Sequence, residues 1–296
     1  MMVPAVSVLI LTRNEAPILG RCLASVGWSD DIVVFDSFST DRTLAIAQAA
    51  GARVVQRSFD NYGAQREAAR RWGGYKHPWV FALDADEQPD AELALEIKAI
   101  ASAENTAGPN AYRMRRKDHF RGRWLPHSTL YPSWFIRLYR PGQIQYEARA
   151  VHEYPVVHGR LGELNGHLVH DSFSKGDGAW WEKHKRYAVL EARENVKSLT
   201  SGTVDWKRLI ACDPVVRRRA LKELSVRLPC RPMLRFIYMY GMRGGFLEGM
   251  AGFEYCRLLA RYEQMIVSRT KKIRRRLPTI RTTHPGWTPQ ETKVSS

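Results

Sequence analysis

The stretch VSVLILTRNE, at residues 6–15, decides the fold class, because a short and mainly apolar run gives way at once to polar residues. DIVVF at residues 31–35 and WVFAL at residues 79–83 repeat this pattern. Short apolar runs bounded by polar residues are typical of strands buried on both faces of a sheet. Segments with helical spacing lie between them, which predicts an α/β fold with parallel strands and right-handed crossovers.

Polar and acidic clusters follow each of these predicted strands. TRNE follows the first at residues 12–15, DSFSTD follows the second at residues 36–41, and DADE follows the WVFAL strand at residues 84–87. Ligands of open parallel sheets bind outside the carboxyl ends of the strands. The three clusters are therefore predicted to form one site.

Asp84 and Asp86 stand two positions apart directly after a buried strand. Mg²⁺ and Mn²⁺ prefer oxygen ligands and often bind one or two carboxylates together with substrate phosphates. The pair therefore predicts a metal-bound diphosphate. The alternative is a solvated acidic turn in which Glu87 and Asp90 favour the start of the next helix.

Composition and charge narrow the classes of protein. Hydrophobic residues make up 44% and charged residues 26% of the 296 residues, which excludes a disordered chain and a disulfide miniprotein. Four scattered cysteines fit a reducing compartment. Residues 205–281 carry 19 Lys or Arg and 6 Asp or Glu, a net +13, whereas the first 204 residues carry only +3. The basic residues 205–281 indicate a polyanionic partner, which could be nucleic acid, an anionic membrane surface or a phosphorylated lipid.

Taken together, VSVLILTRNE, VVFDSFSTDRT and WVFALDADE resemble glycosyltransferase family 2, which has the GT-A nucleotide-sugar fold. FDNYGAQ at residues 59–65, VHE at 151–153 and GGF at 244–246 resemble the subgroup of lipopolysaccharide core β-glucosyltransferases. The resemblance implies a Rossmann-like, mostly parallel catalytic domain over residues 1–170. A helical region at 171–268 and a basic flexible tail at 269–296 are expected to follow.

The resemblance also assigns roles to the strand-end clusters. Asp36 would hold the base or ribose, Asp84 the ribose side or the metal shell, and Asp86 the divalent metal, Mg²⁺ or Mn²⁺, that bridges the diphosphate. The residues expected to line the nucleotide-sugar pocket are Thr12, Arg13, Asn14, Glu15, Ser37, Gln65 and Ala85. The metal and nearby positive groups would neutralise the leaving nucleotide.

The resemblance also implies inverting transfer, which needs a general base on the acceptor side. Glu153 is the candidate and Glu87 the second choice, while His152 would orient Glu153 or bind the acceptor. A surface role for Glu153 is the alternative. Arg137 lies in an otherwise apolar strand, which favours a ligand contact.

Two further groups of residues leave alternatives open. The arginine-rich stretch 113–123, which ends at Arg123, forms either a mobile loop that binds the diphosphate or an anionic acceptor, or a solvated hairpin. His167 and His170 lack the spacing of a zinc site, so His170 is either a structural residue or a third ligand of the catalytic metal.

The sequence therefore predicts a glycosyltransferase that moves a hexose, glucose from UDP-glucose, onto a lipid-linked lipopolysaccharide core or similar glycan. It would lie in the cytoplasm, peripheral on the inner face of the bacterial inner membrane. The predicted helix at 246–268 would lie on the anionic bilayer or pack on the catalytic domain. Transfer to a polyprenyl phosphate is the alternative activity. Nucleic-acid binding is a distant third, since no nucleic-acid-binding signature accompanies the charge.

Overall fold

The structure is a computed structural model that describes residues 5–103, 108–146, 155–200, 209–210 and 214–276. Nine strands form the main sheet: β1 (Val6–Thr12), β2 (Ile32–Asp36), β3 (Arg53–Gln56), β4 (Trp79–Asp84), β5 (Glu87–Pro89), β6 (Ala111–Phe120), β7 (Arg123–Trp124), β8 (Ser133–Tyr139) and β11 (Leu161–Asp171). A separate antiparallel pair consists of β9 (Ile144–Tyr146) and β10 (Pro155–Val157).

Eight α-helices lie in the described residues: α1 (Ala16–Ser25), α2 (Thr43–Ala49), α3 (Tyr62–Arg71), α4 (Ala91–Ser102), α5 (Gly176–Thr200), α6 (Pro214–Ser225), α7 (Arg231–Phe236) and α8 (Gly249–Arg276). A π-helical turn (Ile237–Met242) and a 3₁₀ turn (Gly245–Glu248) connect α7 to α8.

The order of the strands is β3-β2-β1-β4-β8-β6-β11-β5, and β7 pairs with β6. The first four strands run parallel, and the register pairs Thr12 with Asp36 and Leu11 with Asp84. The carboxyl ends of β1, β2 and β4 therefore meet at one edge, as predicted from their polar clusters. The α/β fold class is confirmed.

Both faces of the parallel half are covered, which explains the continuous apolar runs. Val8 and Phe81 pack into a core with residues of α1 and α4, whereas Leu9 and Val80 pack into a second core with Ala69 of α3. All four strand residues are at most 1% exposed. Alternate side chains of each strand thus enter opposite layers.

The second half of the sheet is mixed. β8 is antiparallel to both β4 and β6, while β11 is parallel to β6 and antiparallel to β5. The chain passes from β6 to β8 without a helix, and a connection of this kind allows the two strands to pair antiparallel. This half brings charged side chains of β6, β8 and β11 to the strand-end edge.

The predicted last helix is longer than its sequence pattern suggested, since α8 ends at Arg276 and not at Ser268. Its buried stripe continues through Glu263, Ile266 and Thr270, so packing extends past the predicted end. Basic residues in the last turn also interact favourably with the helix dipole. Residues 277–296 of the predicted tail lie outside the described residues.

The apolar face of α8 packs on the protein, as one of the two compatible alternatives from the sequence expected. Phe120, Phe173 and Trp180 form a core cluster with Leu258 of α8. In the described part of the chain, no helix is both long enough and apolar enough to cross a bilayer.

Candidate active site

Asp36, at the end of β2, organises the nucleotide side of the edge. The side chain is fully buried and accepts hydrogen bonds from Thr12 Oγ1 at 2.8 Å, Ser39 N at 2.8 Å, Ser39 Oγ at 2.5 Å and Gln56 Nε2 at 3.3 Å. Each carboxylate oxygen thus has two donors, which matches its two lone pairs. A ribose or base hydrogen bond to Asp36 would have to replace one of these partners.

The loop after β1 is tied to the loop after β2 and to the segment before α5. Asn14 has a left-handed φ of 55°, and its side-chain oxygen accepts a hydrogen bond from Thr40 N at 2.8 Å. Lys175 donates to Asn14 O at 2.7 Å and pairs with Glu15 at 2.5 Å. Burial raises the pKa of Glu15, although Lys175 acts against this shift. The tertiary fold thus adds a cation to this loop.

Gln65 of α3 lies on the same side of the edge. Its amide donates to Ser37 Oγ at 3.1 Å, and its carbonyl accepts from Arg57 at 2.8 Å. Arg13 is exposed, with its guanidinium 5.6 Å from the centre of the Phe59 ring. The predicted pocket residues therefore do come together, and Arg13 remains accessible to a ligand.

Asp84 is held by two guanidinium groups. Arg66 donates to Oδ1 at 2.7 Å, and Arg137 donates to Oδ2 at 2.8 Å. The same nitrogen of Arg137 lies 2.7 Å from Glu87, which also has Arg116 at 3.3 Å. Burial opposes ionisation of Asp84, but Arg66 and Arg137 outweigh it and hold its pKa well below the usual range. Both oxygens of Asp84 thus have an arginine partner, while the side chain remains 35% exposed at the edge.

Glu87, the second choice for the base, does not fit that role. Its side chain is 0% exposed, and it accepts a hydrogen bond from Asp84 N at 3.1 Å in addition to its arginine contacts. An acceptor hydroxyl cannot reach it. Arg137 is similarly buried, so the structure places it behind the site, where it holds two carboxylates.

Asp86 and His170 face each other at the edge. His170 Nε2 lies 3.4 Å from Asp86 Oδ2, and Lys183 Nζ lies 4.0 Å from the same oxygen. Asp118 accepts a hydrogen bond from His170 Nδ1 at 2.5 Å. Burial opposes the charged forms of both partners, yet their mutual attraction lowers the pKa of Asp86 and raises that of His170.

A divalent metal fits this arrangement as a two-ligand site. A histidine that binds a metal with one ring nitrogen usually donates the other N–H to a carboxylate, as Nδ1 of His170 does to Asp118. Asp86 and His170 can supply ligands, and Asp118 orients the imidazole. Among the described side chains, no group of three or more His, Cys, Asp or Glu residues has the geometry of a metal site. Diphosphate oxygens and water would complete the coordination.

The remaining predicted residues are dispersed. Ala85 is buried between the two aspartates, and Arg123 is exposed in β7. Glu153 and His152 lie outside the described residues. His167 bonds to Tyr131 at 2.9 Å and so does not join His170 at a zinc site.

The arginine-rich stretch is a hairpin of β6 and β7, and most of its cations already have partners. Arg113 pairs with Glu163, Arg116 with Asp118, and Arg121 with Asp177 and Glu254. Arg115 donates to a backbone carbonyl of β11. The stretch is therefore a hairpin with most of its cations in ion pairs, and its inner side contributes Arg116 and Asp118 to the charge network of the site. A phosphate pocket for a polyprenyl acceptor gains no support from it.

Sequence reasoning missed Arg66, Asp118, Lys175 and Lys183. Asp118 and Arg116 occupy alternate positions of β6 between the buried residues Met114 and Phe120, a period of two that indicates an inward face. No such pattern in the sequence marks Lys175 or Lys183. Both come from the start of α5 or the residue before it, which is far from β1 and β4 in the sequence.

Comparisons with known proteins identify the family of the chain. The sequence model of the family described as glycosyl transferase family 2 matches residues 7–158, just over half of the chain. The lipopolysaccharide core biosynthesis glycosyltransferase LpsC of Rhizobium meliloti (strain 1021) is 27% identical over 269 residues, 86% of this chain and 90% of LpsC. An uncharacterized glycosyltransferase of Rickettsia bellii (strain RML369-C) is 36% identical over 111 residues, so this chain spans 37% of its length.

Among solved structures, S. aureus TarS 1-349 is 16% identical, with 91% of each chain covered and a TM-score of 0.41, a likeness too weak to support a functional conclusion. The match of the family model over residues 7–158 is sufficient by itself. The chain belongs to glycosyl transferase family 2.

Proposed function

We propose that this protein is an inverting, metal-dependent glycosyltransferase that moves a hexose, glucose from UDP-glucose, to a lipid-linked lipopolysaccharide core or similar glycan. The similarity to LpsC over most of both chains supports the class of acceptor. The observation that carries the proposal is the meeting of three strand ends beside the facing pair Asp86 and His170. A peripheral position on the inner face of the bacterial inner membrane follows from a lipid-linked acceptor.

The nucleoside would lie over the ends of β1 and β2. Asp36 accepts hydrogen bonds from Thr12, at the end of β1, and from Ser39, in the loop after β2. These bonds order the backbone at both strand ends before a ligand binds. Arg13 would contact the nucleotide directly, whereas Gln65, which is 3% exposed and bonded to Ser37 and Arg57, would act by positioning Ser37. Preorganised polar groups lower the cost of binding because they do not have to be ordered by the ligand.

The diphosphate would lie beside Asp86, His170 and Lys183. A bound Mg²⁺ or Mn²⁺ would neutralise the negative charge that develops on the leaving nucleoside diphosphate. Asp86 and His170 would hold the metal, while Asp118 keeps the Nε2 atom of His170 directed at it. Lys183 adds a positive group on the same side. Asp84, which is 35% exposed and balanced by Arg66 and Arg137, would contact the ribose side or the metal shell beside Asp86.

Glu153 remains the proposed base that removes the proton from the acceptor hydroxyl. Glu153→Gln should leave binding of UDP with Mn²⁺ unchanged and lower kcat by about 100-fold or more, the usual range for general base catalysis. Weaker UDP binding without an effect on kcat would argue for a donor contact in place of a base.

The test of the proposed function uses Asp86→Asn, with Asp177→Asn as the matched control, because Asp177 is a half-exposed carboxylate that pairs with Arg121. Thermal shift with UDP, with and without Mn²⁺, reports binding directly, since a ligand of the folded state raises its melting temperature. Asp86→Asn should lose the Mn²⁺-dependent part of the shift and lower hexose transfer by about 100-fold or more. Screening UDP-, GDP- and dTDP-sugars on the unmodified protein identifies the donor.

The result that would contradict the proposal is full transfer by Asp86→Asn, or no thermal shift of the unmodified, folded protein with any nucleotide sugar and Mn²⁺. Equal losses in Asp86→Asn and Asp177→Asn would indicate a general effect on the fold.

A further inference from the structure

The connection between α7 and α8 exposes a patch of large apolar side chains. We call the segment 233–250 the apolar elbow. It comprises the end of α7, the π-helical turn, the 3₁₀ turn and the first residues of α8. Its most exposed apolar side chains, by exposed fraction, are Met242 (78%), Met250 (69%), Leu247 (64%), Met233 (56%), Phe246 (53%) and Ile237 (49%). Clustered exposure of this kind marks an interaction surface in a soluble protein.

Buried contacts fix the backbone of the elbow, and this backbone conformation directs the apolar side chains toward solvent. Glu248 is 5% exposed and accepts hydrogen bonds from His127 N at 2.6 Å and Ser128 N at 3.1 Å. A Cβ atom on Gly252 would lie 2.1 Å from Gly245 O, so α8 begins in direct backbone contact with the 3₁₀ turn. The outward side chains thus cannot turn inward without disrupting these contacts.

The sequence around the elbow is mainly basic. Between Glu223 and Glu254 the sequence contains a single acidic residue, Glu248, and that residue is buried. Arg231 and Arg235, in the same interval, pair with Glu263 of α8, whose side chain is only 3% exposed. The elbow itself therefore presents apolar side chains, and the exposed cations near it must come from the outer side of α8.

The exposed side of α8 continues the pattern away from the elbow. Arg257 and Arg261 are exposed and follow Met250 by seven and eleven residues, which places them on the same side of the helix. At about 1.5 Å per residue they lie about 10 and 16 Å from Met250 along the helix axis. Apolar groups that enter a bilayer interface reach about 5–10 Å deep, which leaves these arginines near the phosphate groups.

We propose that the apolar elbow inserts into the surface of an anionic lipid bilayer, with Arg257 and Arg261 at the level of the headgroups. A lipid surface accepts irregular apolar side chains without shape complementarity, and its phosphates complement the arginines. This inference rests on the proposed lipid-linked acceptor and deepens it by naming the surface that meets the lipid. It moves the membrane contact from the apolar face of α8, which is packed, to the turn that precedes the helix.

The position of the elbow connects the bilayer to the site. The elbow binds residues 127–131 through Glu248 and through Arg243, which donates to Tyr131 O at 3.2 Å. Those residues lead directly into β8, and β8 carries Arg137 of the charge network. A protein docked by the elbow thus presents this side of the sheet to an acceptor embedded in the bilayer.

The test measures binding of the full chain to sedimented vesicles of phosphatidylcholine alone and of phosphatidylcholine mixed with phosphatidylglycerol. The unmodified protein should prefer the anionic vesicles. Leu247→Ser combined with Met250→Ser should weaken this binding by about tenfold or more, because two side chains lose their apolar contact with lipid. Leu95→Ser is the matched control, because Leu95 on α4 is 66% exposed and lies outside the elbow. Its vesicle binding should stay unchanged.

A second variant, Arg257→Gln with Arg261→Gln, should bind anionic vesicles less tightly and with a weaker dependence on salt. Vesicle binding that survives the Leu247 and Met250 changes would overturn the inference. A dimer of the unmodified protein that the same changes convert to monomer would also overturn it, since a second copy would then cover the elbow.

Thermal shift with UDP and Mn²⁺ on every variant separates this inference from the proposed function. If the unmodified protein binds nucleotide but does not bind vesicles, only the inference that the elbow inserts into a bilayer is refuted. Vesicle binding without any nucleotide binding would refute only the proposed transfer reaction.

Discussion

Arg137 offers the sharpest test of how the charge network supports the site. Its side chain is 6% exposed, and one of its nitrogens lies 2.8 Å from Asp84 and 2.7 Å from Glu87. Arg137→Met would leave Glu87, which is 0% exposed, with Arg116 at 3.3 Å as its remaining cation. Breaking a buried ion pair from one side costs about 3–5 kcal/mol of the free energy of unfolding.

The double variant Arg137→Met with Glu87→Gln removes the orphaned charge together with its partner. It should be less destabilised than the sum of the two single variants by about 1–3 kcal/mol, as expected for residues in direct contact. Urea unfolding followed by tryptophan fluorescence at neutral pH gives all four free energies. Arg137→Met within about 1 kcal/mol of the unmodified protein, together with loss of UDP binding, would refute this reasoning and make Arg137 a ligand contact.

Three further changes test other parts of the structure. Glu67→Gln should lower the free energy of unfolding by about 1–2 kcal/mol at pH 7, because a hydrogen bond from Arg70 outweighs burial and lowers the pKa of Glu67 from 4.5 to about 2. A depressed carboxyl pKa stabilises the fold above pH 4.5, so the difference should shrink as the pH falls toward 2. Gly252→Ala should destabilise the fold by about 1–3 kcal/mol in urea unfolding, because the new methyl group would meet Gly245 O. Lys183→Met should weaken UDP binding in calorimetry by about tenfold, since it removes a cation from the diphosphate side.

Matched changes control for these three effects. Glu194→Gln removes an exposed carboxylate that pairs with Lys197. This change should lower the free energy of unfolding by at most about 1 kcal/mol. Gly20→Ala, on an exposed helical position with no atom within 4 Å of the new methyl group, should stabilise by about 0.5–1 kcal/mol. Lys185→Met lies on the same helix as Lys183 but pairs with Glu182, so UDP binding should not change. Equal effects of test and control would contradict the corresponding explanation.

The parallel half of the sheet could be predicted because its signals are local. Each of β1, β2 and β4 is a run of apolar residues long enough to identify a strand, and each ends in a polar cluster. The rule that parallel strands end at the same edge then placed Thr12, Asp36 and Asp84 together, and the register confirms it.

The roles of individual charges could not be predicted, because a role depends on which partner is near. The sequence around Arg137 predicts a ligand contact. In the structure Arg137 is buried and pairs with Asp84 and Glu87, which lie about fifty positions earlier in the chain. Glu87 reads as a possible base until the same contacts show it to be buried. Lys183 carries no sequence signal, and its place beside Asp86 depends on how α5 packs.

The sequence by itself determined the fold class, the strand ends that meet at the edge, and the family. Only the tertiary structure decided which carboxylates are occupied by arginines, which one faces a histidine, and which apolar residues of the C-terminal region remain exposed. The physical reason is the sequence separation of the residues involved. A buried strand and its polar end are marked within one short stretch of sequence, whereas ion pairs and surface exposure depend on segments far apart in the chain.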